Sequence, residues 1–361
     1  MAPVVNAFKG DELNFETVVA VTAQHREMLD QVLTLFEIVP DYDLDLMAPN
    51  QTLESLTSKV LIGISDLLVE IKPDVIFVQG DTTTTFASAL AAFYKMIPVA
   101  HIEAGLRTNN IYSPFPEEIN RRMTTSMASY HFPPTKQSQQ NLLNEGIDKD
   151  TIKIAGNTVI DALLTVSNKI DKETDKYDSY FSESYNIYFN HKKTILVTGH
   201  RRESFGDGLE NICTAIKHIS EKNNFQIIYP VHLNPNVQEP VNRILGNLSN
   251  VHLIPPQDYV PFIILMKKSH IILTDSGGVQ EEAPSLGKPV LVMRESTERP
   301  EGIIAGTARL VGNNINTIIT QVELLLNDKE EYDKMAKSVN PYGDGTASKE
   351  IHDFVLRVFE S

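Results

Sequence analysis

Apolar positions along the chain fall into two alternating series of short continuous runs and longer amphipathic stretches. TVVAVT (17–22) is β-branched and unbroken, as a strand buried on both faces should be. Leu53, Leu56, Val60, Leu61, Ile64, Leu67, Leu68 and Ile71 recur at helical spacing and give one apolar face. DVIFVQGD (74–81) and PVAHIEAG (98–105) are further strands that end in polar, glycine-bearing loops, and TIKIAG (151–156) closes the series. A second series follows in TILVTGH, QIIYPV, NVHLIPP, HIILTDSGG, KPVLVMRE and TARLVG, with helical patterns between them. Before the first strand the chain opens on a short helix-like stretch, and it closes on the amphipathic SKEIHDFVLRVF.

Strand–helix alternation in two halves predicts an α/β protein of two doubly wound parallel sheets facing across a cleft. The expected division is a first domain over 1–168, a polar connection over 169–193 and a second domain over 194–345. The last helix, 346–361, is expected to pack back on the first domain. Ligands of such sheets sit off the carboxyl ends of the strands, so the loops at those ends are the candidates for chemistry.

Composition narrows the classes. The 361 residues are 42% hydrophobic and 22% charged, with a formal net charge of −15. That balance argues against nucleic-acid binding, which needs a basic stripe. The single cysteine, Cys213, excludes an internal disulfide and a cysteine zinc cluster. No stretch reads as a signal peptide or membrane span, so a soluble cytoplasmic protein is expected. The phosphate-loop and dinucleotide fingerprints are absent, as is a tightly spaced metal motif.

The polar loops differ in how far they depart from ordinary structural patterns. Asp81 at a strand end reads equally as a helix N-cap. His101, Glu103 and Arg107 follow another strand, where a Glu103–Arg107 ion pair would be a sufficient explanation. Glu117, Glu118, Arg121 and Arg122 match a helix stabilised by its own charges. GHRRESFGDG places His200, Arg201, Arg202 and Glu203 among three glycines, which a solvated charge run does not require. His232, Gln257 and Phe262 end or follow the next strands. In DSGGVQEEAPSLGKPVLV (275–292), Gly277 and Gly278 open a helix and make an anion site, yet Glu281 and Glu282 sit one turn inside it. A bare phosphate would be repelled there; a phosphate attached to a hydroxyl-rich group would not.

Nine ordered stretches carry a family resemblance: TAQHREMLDQV, GDTTTTFA, HIEAGLR, YSPFPEEINRR, GNTVIDAL, GHRRESFG, HLNPNV, TDSGGVQEEAPSLGKPVLV and STERPEG. They resemble, over nearly the whole chain, the non-hydrolysing UDP-N-acetylglucosamine 2-epimerases. The resemblance implies the two-domain, Rossmann-like GT-B architecture, interconversion of UDP-N-acetylglucosamine and UDP-N-acetylmannosamine, no metal or other cofactor, and a homodimer. By the same resemblance Asp81, Glu103, Glu117 and His200 are catalytic. Ser276, Gly277 and Gly278 hold the UDP phosphates, Glu282 the ribose, Gln257 and Phe262 the uracil, and Arg201 lies beside the diphosphate. Gln24, His25, Gln51, Arg201 and His232 match a second, activating nucleotide-sugar site; Glu27 and Asn50 depart from the regulated pattern and weigh against activation.

Relatives carry a hydrophobic strand and a Gly-Thr-Arg-Pro-Glu turn ahead of the segment matching Met1 to Pro3. That strand is central in the family's first sheet, so impaired activity is expected of the chain as it begins here. The competing readings are a glycosyltransferase of the same architecture and a nucleotide-sugar binding protein without turnover.

Overall fold

The computed structural model describes residues 1–23, 26–46, 51–190, 192–222 and 225–360. The chain divides into two compact units. Met1–Ala162 and the C-terminal stretch from Tyr342 form one, and Leu163–Pro341 the other. The helix Thr158–Asp171 begins in the first unit and ends in the second. The expected polar connection is largely helical, since that helix runs to Asp171 and another spans Thr174–Tyr185. Phe181, fully buried, gives this polar segment the apolar anchor that its composition conceals.

In the second unit six strands form one parallel sheet: β6 (Lys193–Thr198), β7 (Phe225–Pro230), β8 (Val251–Ile254), β9 (Ile271–Thr274), β10 (Val290–Val292) and β11 (Ala308–Leu310). Their order is β11-β10-β9-β6-β7-β8, with β6 registered Ile195 to Ile271 and Thr198 to Thr274 on β9. The direction of build-up reverses between β6 and β9, the switch point at which doubly wound sheets open for ligands. Ile195, Val197, Ile227, Tyr229, Ile271 and Leu273 form one core with the helices Asp207–Ser220, Pro235–Leu245 and Ile315–Asn327. All six strands match the apolar runs read from the sequence.

The first unit has two smaller parallel sheets: β1 (Ala20–Val21) with β2 (Tyr42–Asp43), and β3 (Ile76–Gln79), β4 (Val99–Ile102) and β5 (Tyr130–Phe132) in order. Val78 and Val99 pack under the helices Leu53–Ile71 and Thr83–Tyr94. Ala100, Ile102 and Phe132 face the other way, against Val4 and Phe8 of the helix Ala2–Lys9 and Ile351 and Val355 of the helix Ala347–Glu360. Among the described residues β1 and β3 each pair on one side only. TVVAVT therefore yields two paired residues where the sequence suggests six. TIKIAG yields one isolated bridge, Ile152 to His131, in place of a closing strand.

Candidate active site

In the first unit the chemistry collects at the carboxyl ends of β3 and β4. Gly80 N–H donates to the Ile102 carbonyl at 3.0 Å, which carries the ladder one residue past β3 and leaves Asp81 at its rim. The helix Thr83–Tyr94 is capped by Thr82, whose hydroxyl accepts from Thr85 N–H at 3.2 Å, so of the two readings of Asp81 the N-cap is not the one observed. Its carboxylate instead takes Arg121, through Nε at 3.1 Å and through Nη2, while its carbonyl accepts from Asn120 at 3.0 Å. Glu103 follows β4 in a left-handed conformation (φ 63°), its Oε2 lying 3.7 Å from where a Gly80 side chain would begin. Glu117 starts the helix Glu117–Met127, which also carries Asn120 and Arg121, and one of its carboxylate oxygens is buried without a hydrogen bond. Asp81, Glu103 and Glu117 are thus gathered on neighbouring elements.

Glu118 is separated from Glu117 by burial and use. Fully buried, it accepts from the N–H groups of Thr108 (3.0 Å) and Asn109 (3.2 Å) and from Arg121 (3.2 Å) and Arg122 (3.0 Å). Burial opposes its ionisation, but the Thr108 N–H and the two arginines outweigh that and hold its carboxyl below the ordinary range. Glu118 fixes the loop and helix around the site. Arg107 does not pair with Glu103; it forms a two-pronged bond to Glu145, both arms 2.7 Å. His101 is fully buried, and burial pushes it down to about 3, so the neutral ring ties β4 to the Gly80 carbonyl at 2.8 Å.

In the second unit the site lies off β6, β7 and β9. Asp275 follows β9 and accepts, on Oδ2, from the N–H groups of His200 (2.7 Å) and Arg201 (2.8 Å). The His200 ring stacks on His232, with centroids 5.4 Å apart. Ser276 precedes the helix Gly277–Glu282 but makes no side-chain cap bond, so its hydroxyl is not committed to the helix end. The Arg299 guanidinium lies over Gly277, where a Cβ would meet its Cζ at 3.2 Å; glycine is what allows a cation this close to the turn. Arg299 also holds Glu281 (2.7 Å) and Glu298 (3.2 Å), and Glu298 reaches Arg201 (3.2 Å) and Arg294 (2.6 Å).

Glu282 is buried, and burial followed by the adjacent Glu281 raises its carboxyl to about 7. A group so poised gains most from hydrogen-bonding partners that arrive with a ligand. Gln257 is held by Tyr180 (3.3 Å) and Tyr185 (3.2 Å) of the helix Thr174–Tyr185, and half-buried Phe262 sits on the helix Tyr259–Lys268. Of the expected activator residues, Gln24 and His25 lie outside the described residues; Gln51 belongs to the first unit and Arg201 and His232 to the second. No group of three or more metal-ligating side chains occurs among the described residues.

Arg121, Arg299, Glu298 and Asp275 are absent from the sequence reading of the site. Arg121 was hidden because Glu117 to Arg121 is also the spacing of an ordinary helical ion pair. The Arg299 signal, STERPEG, was present only as a family stretch.

The family described as UDP-N-acetylglucosamine 2-epimerase matches residues 6–356. The chain belongs to that family. It is 58% identical over 352 residues to UDP-N-acetylglucosamine 2-epimerase of Salmonella typhimurium, covering 97% of this chain and 93% of that protein. A crystal structure of UDP-GlcNAc 2-epimerase from Neisseria meningitidis bound to UDP-GlcNAc is 51% identical, with a TM-score of 0.88, covering 99% of this chain and 96% of that one. The Methanocaldococcus jannaschii enzyme in complex with UDP-GlcNAc and UDP is 34% identical, with a TM-score of 0.77, covering 99% and 95%. The α/β class expected from the sequence, two Rossmann-like units of GT-B type, is that of these epimerases.

Proposed function

We propose that the protein is an isomerase that interconverts UDP-N-acetylglucosamine and UDP-N-acetylmannosamine without hydrolysing them. The observation that carries this reading is family membership over nearly the whole chain, joined to carboxylates at the strand ends of one unit and a cation-covered glycine turn in the other. The hydrogen on carbon 2 of the sugar is not α to a carbonyl, so its direct removal and return is too slow. Elimination avoids this: a carboxylate takes the carbon 2 proton, the carbon 1–oxygen bond breaks, and UDP leaves a glycal. UDP then adds back at carbon 1 as a proton is delivered to the opposite face of carbon 2. Asp81, Glu103 and Glu117 serve the two faces, and His200 with Arg201 stabilises the charge that develops on the leaving diphosphate.

Ser276, Gly277 and Gly278 take the phosphates, Glu282 the ribose hydroxyls, and Gln257 and Phe262 the uracil. A ribose hydroxyl donating to Glu282 answers why a carboxylate sits beside an anion site. The reading needs no metal or cofactor, and it places the protein in the cytoplasm as a homodimer. No described helix is long and apolar enough to cross a membrane.

Proton NMR of UDP-N-acetylglucosamine in D2O tests the reaction. The expected result is UDP-N-acetylmannosamine with deuterium at carbon 2. Free N-acetylmannosamine would indicate a hydrolysing enzyme, and UDP binding without exchange a binding protein. Light scattering tests the dimer, and a monomer mass would overturn it.

A further inference from the structure

Asp275 poses a problem of charge. Its side chain is 2% exposed and directly precedes Ser276 and the glycine turn, where a second negative charge would repel a diphosphate. One of its oxygens is fully committed, since Oδ2 accepts from the N–H groups of both His200 and Arg201. The other, Oδ1, is buried without a hydrogen bond and lies 3.4 Å from Nδ1 of His200. A buried carboxylate oxygen with no donor is costly, and the nearby imidazole nitrogen is the group positioned to relieve it.

We propose that Asp275 is the positioning residue for His200, accepting a hydrogen bond from Nδ1 so that the ring turns its Nε2–H toward the diphosphate. The proposal rests on the reading of His200 as the group beside the leaving diphosphate. A carboxylate oxygen can only accept, so the ring nitrogen that faces it must carry hydrogen. The two backbone bonds to Oδ2 set the orientation of the carboxylate and of the His200 backbone together, leaving the ring a small rotation from alignment. Catalytic hydrogen bonds are commonly this loose before the ligand arrives.

The other groups around the ring do not compete for Nδ1. His232, stacked on His200, has its own Nδ1 accepting from Asn234 N–H at 3.1 Å, so its proton belongs on Nε2. The Tyr229 hydroxyl donates to the Gly199 carbonyl at 3.1 Å, and the Arg201 guanidinium turns to Glu298 at 3.2 Å. Residue 275 thereby connects the turn read as the phosphate site to the orientation of the histidine. Its charge beside an anion site is used for that connection and is screened from the ligand by the N–H groups it binds.

Asp275→Asn keeps an oxygen for the two backbone N–H groups and turns an N–H toward His200. It should therefore strip the hydrogen from Nδ1, and with it the positive charge of a ring that donates on both nitrogens, while sparing the fold. The measurement is nitrogen-15 NMR of labelled protein with UDP at about pH 8, above the ordinary histidine range, with His200→Ala providing the assignment. The expected result is hydrogen on both ring nitrogens in the UDP-bound wild type and on Nε2 alone in the variant. Turnover of Asp275→Asn should fall by roughly a hundredfold or more, the scale of one lost acid–base contact. KM should stay within about threefold, and the further loss in a His200→Ala background should also be within about threefold.

A wild-type ring with unprotonated Nδ1 would overturn the proposal, whether or not any variant folds. So would an Nδ1 that stays protonated in Asp275→Asn, or a loss that adds in full to that of His200→Ala. A wild-type protein that binds UDP but shows no epimerisation would instead sink the functional reading, and the nitrogen-15 measurement would still decide the role of Asp275.

Discussion

The two units solve the same problem with different sheets. In the second, β6 and β9 are each paired on both sides, so the strands delivering His200 and Asp275 are held from two directions. In the first, Asp81 follows β3, which among the described residues is paired only to β4, and β1 and β2 form a separate ladder. The acid-bearing end of the first unit is therefore held less by backbone ladders than by side chains: Arg121, Asn120, Glu118 and the buried His101. Rigidity around the glycine turn of the second unit comes from sheet continuity, and rigidity around the carboxylates of the first from a polar network.

The largest expected effect separates the two roles. Asp81→Asn, Glu103→Gln and Glu117→Gln should each lower turnover by about 10² to 10⁴-fold and leave UDP affinity, measured by titration calorimetry, nearly unchanged. A parallel loss of UDP affinity would erase the division of labour between the units.

Next in size, Gly105→Ala should destabilise the first unit by about 3 kcal/mol or more. Gly105 has φ 85°, and an added Cβ would stand 2.2 Å from the Ser138 carbonyl oxygen. Hydrogen exchange should show faster amides in β3 to β5 with β6 to β11 unaffected.

Glu282→Gln probes the other side. A folded-state value of about 7 against an ordinary 4.5 means that the native state holds more protons across that window. Stability without ligand should therefore decline as pH rises from about 4.5 to about 7 and stay reduced above it. Removing the charge should make the gain at pH 8 exceed that at pH 5 by up to about 3 kcal/mol in urea titrations. A pH-independent difference would show that Glu282 is ionised throughout.

The smallest effect is expected from Thr22→Val. The Thr22 hydroxyl meets that of Thr84 at 3.4 Å, linking the chain after β1 to the helix after β3. Its loss should cost about 0.5–1 kcal/mol, read as faster exchange at Val21 and neighbouring amides.

The second unit was legible in the sequence because its strands are apolar runs, four of which end at or within two residues of glycine or proline (β6, β7, β8 and β11), and their order of appearance fixes the elements. The first was less so. β5 is three residues long and interrupted by buried His131, and β1 shrinks because its length depends on pairing partners, which local pattern does not encode. Helical Thr174–Tyr185 was hidden by a polar composition whose anchor is one phenylalanine. Site residues with an unusual setting, such as His200 among glycines, could be singled out. Those that act through ordinary spacings, Arg121 and Asp275 above all, could not, because a helical ion pair and a strand-end aspartate look alike with or without a site.

The return of the last helix to the first unit has a consequence for biogenesis. Ile351 and Val355 complete the core that Val4 and Phe8 begin, so Val4 and Phe8 leave the ribosome long before the residues that cover them. Every residue of the second unit is synthesised before that helix emerges, which inverts the usual order in which N-terminal domains fold first. A premature stop just ahead of Ala347 would leave the second unit's sequence whole and strip the first of the helix Ala347–Glu360. A chain stopped there is expected to expose the apolar surface of the first unit and not that of the second.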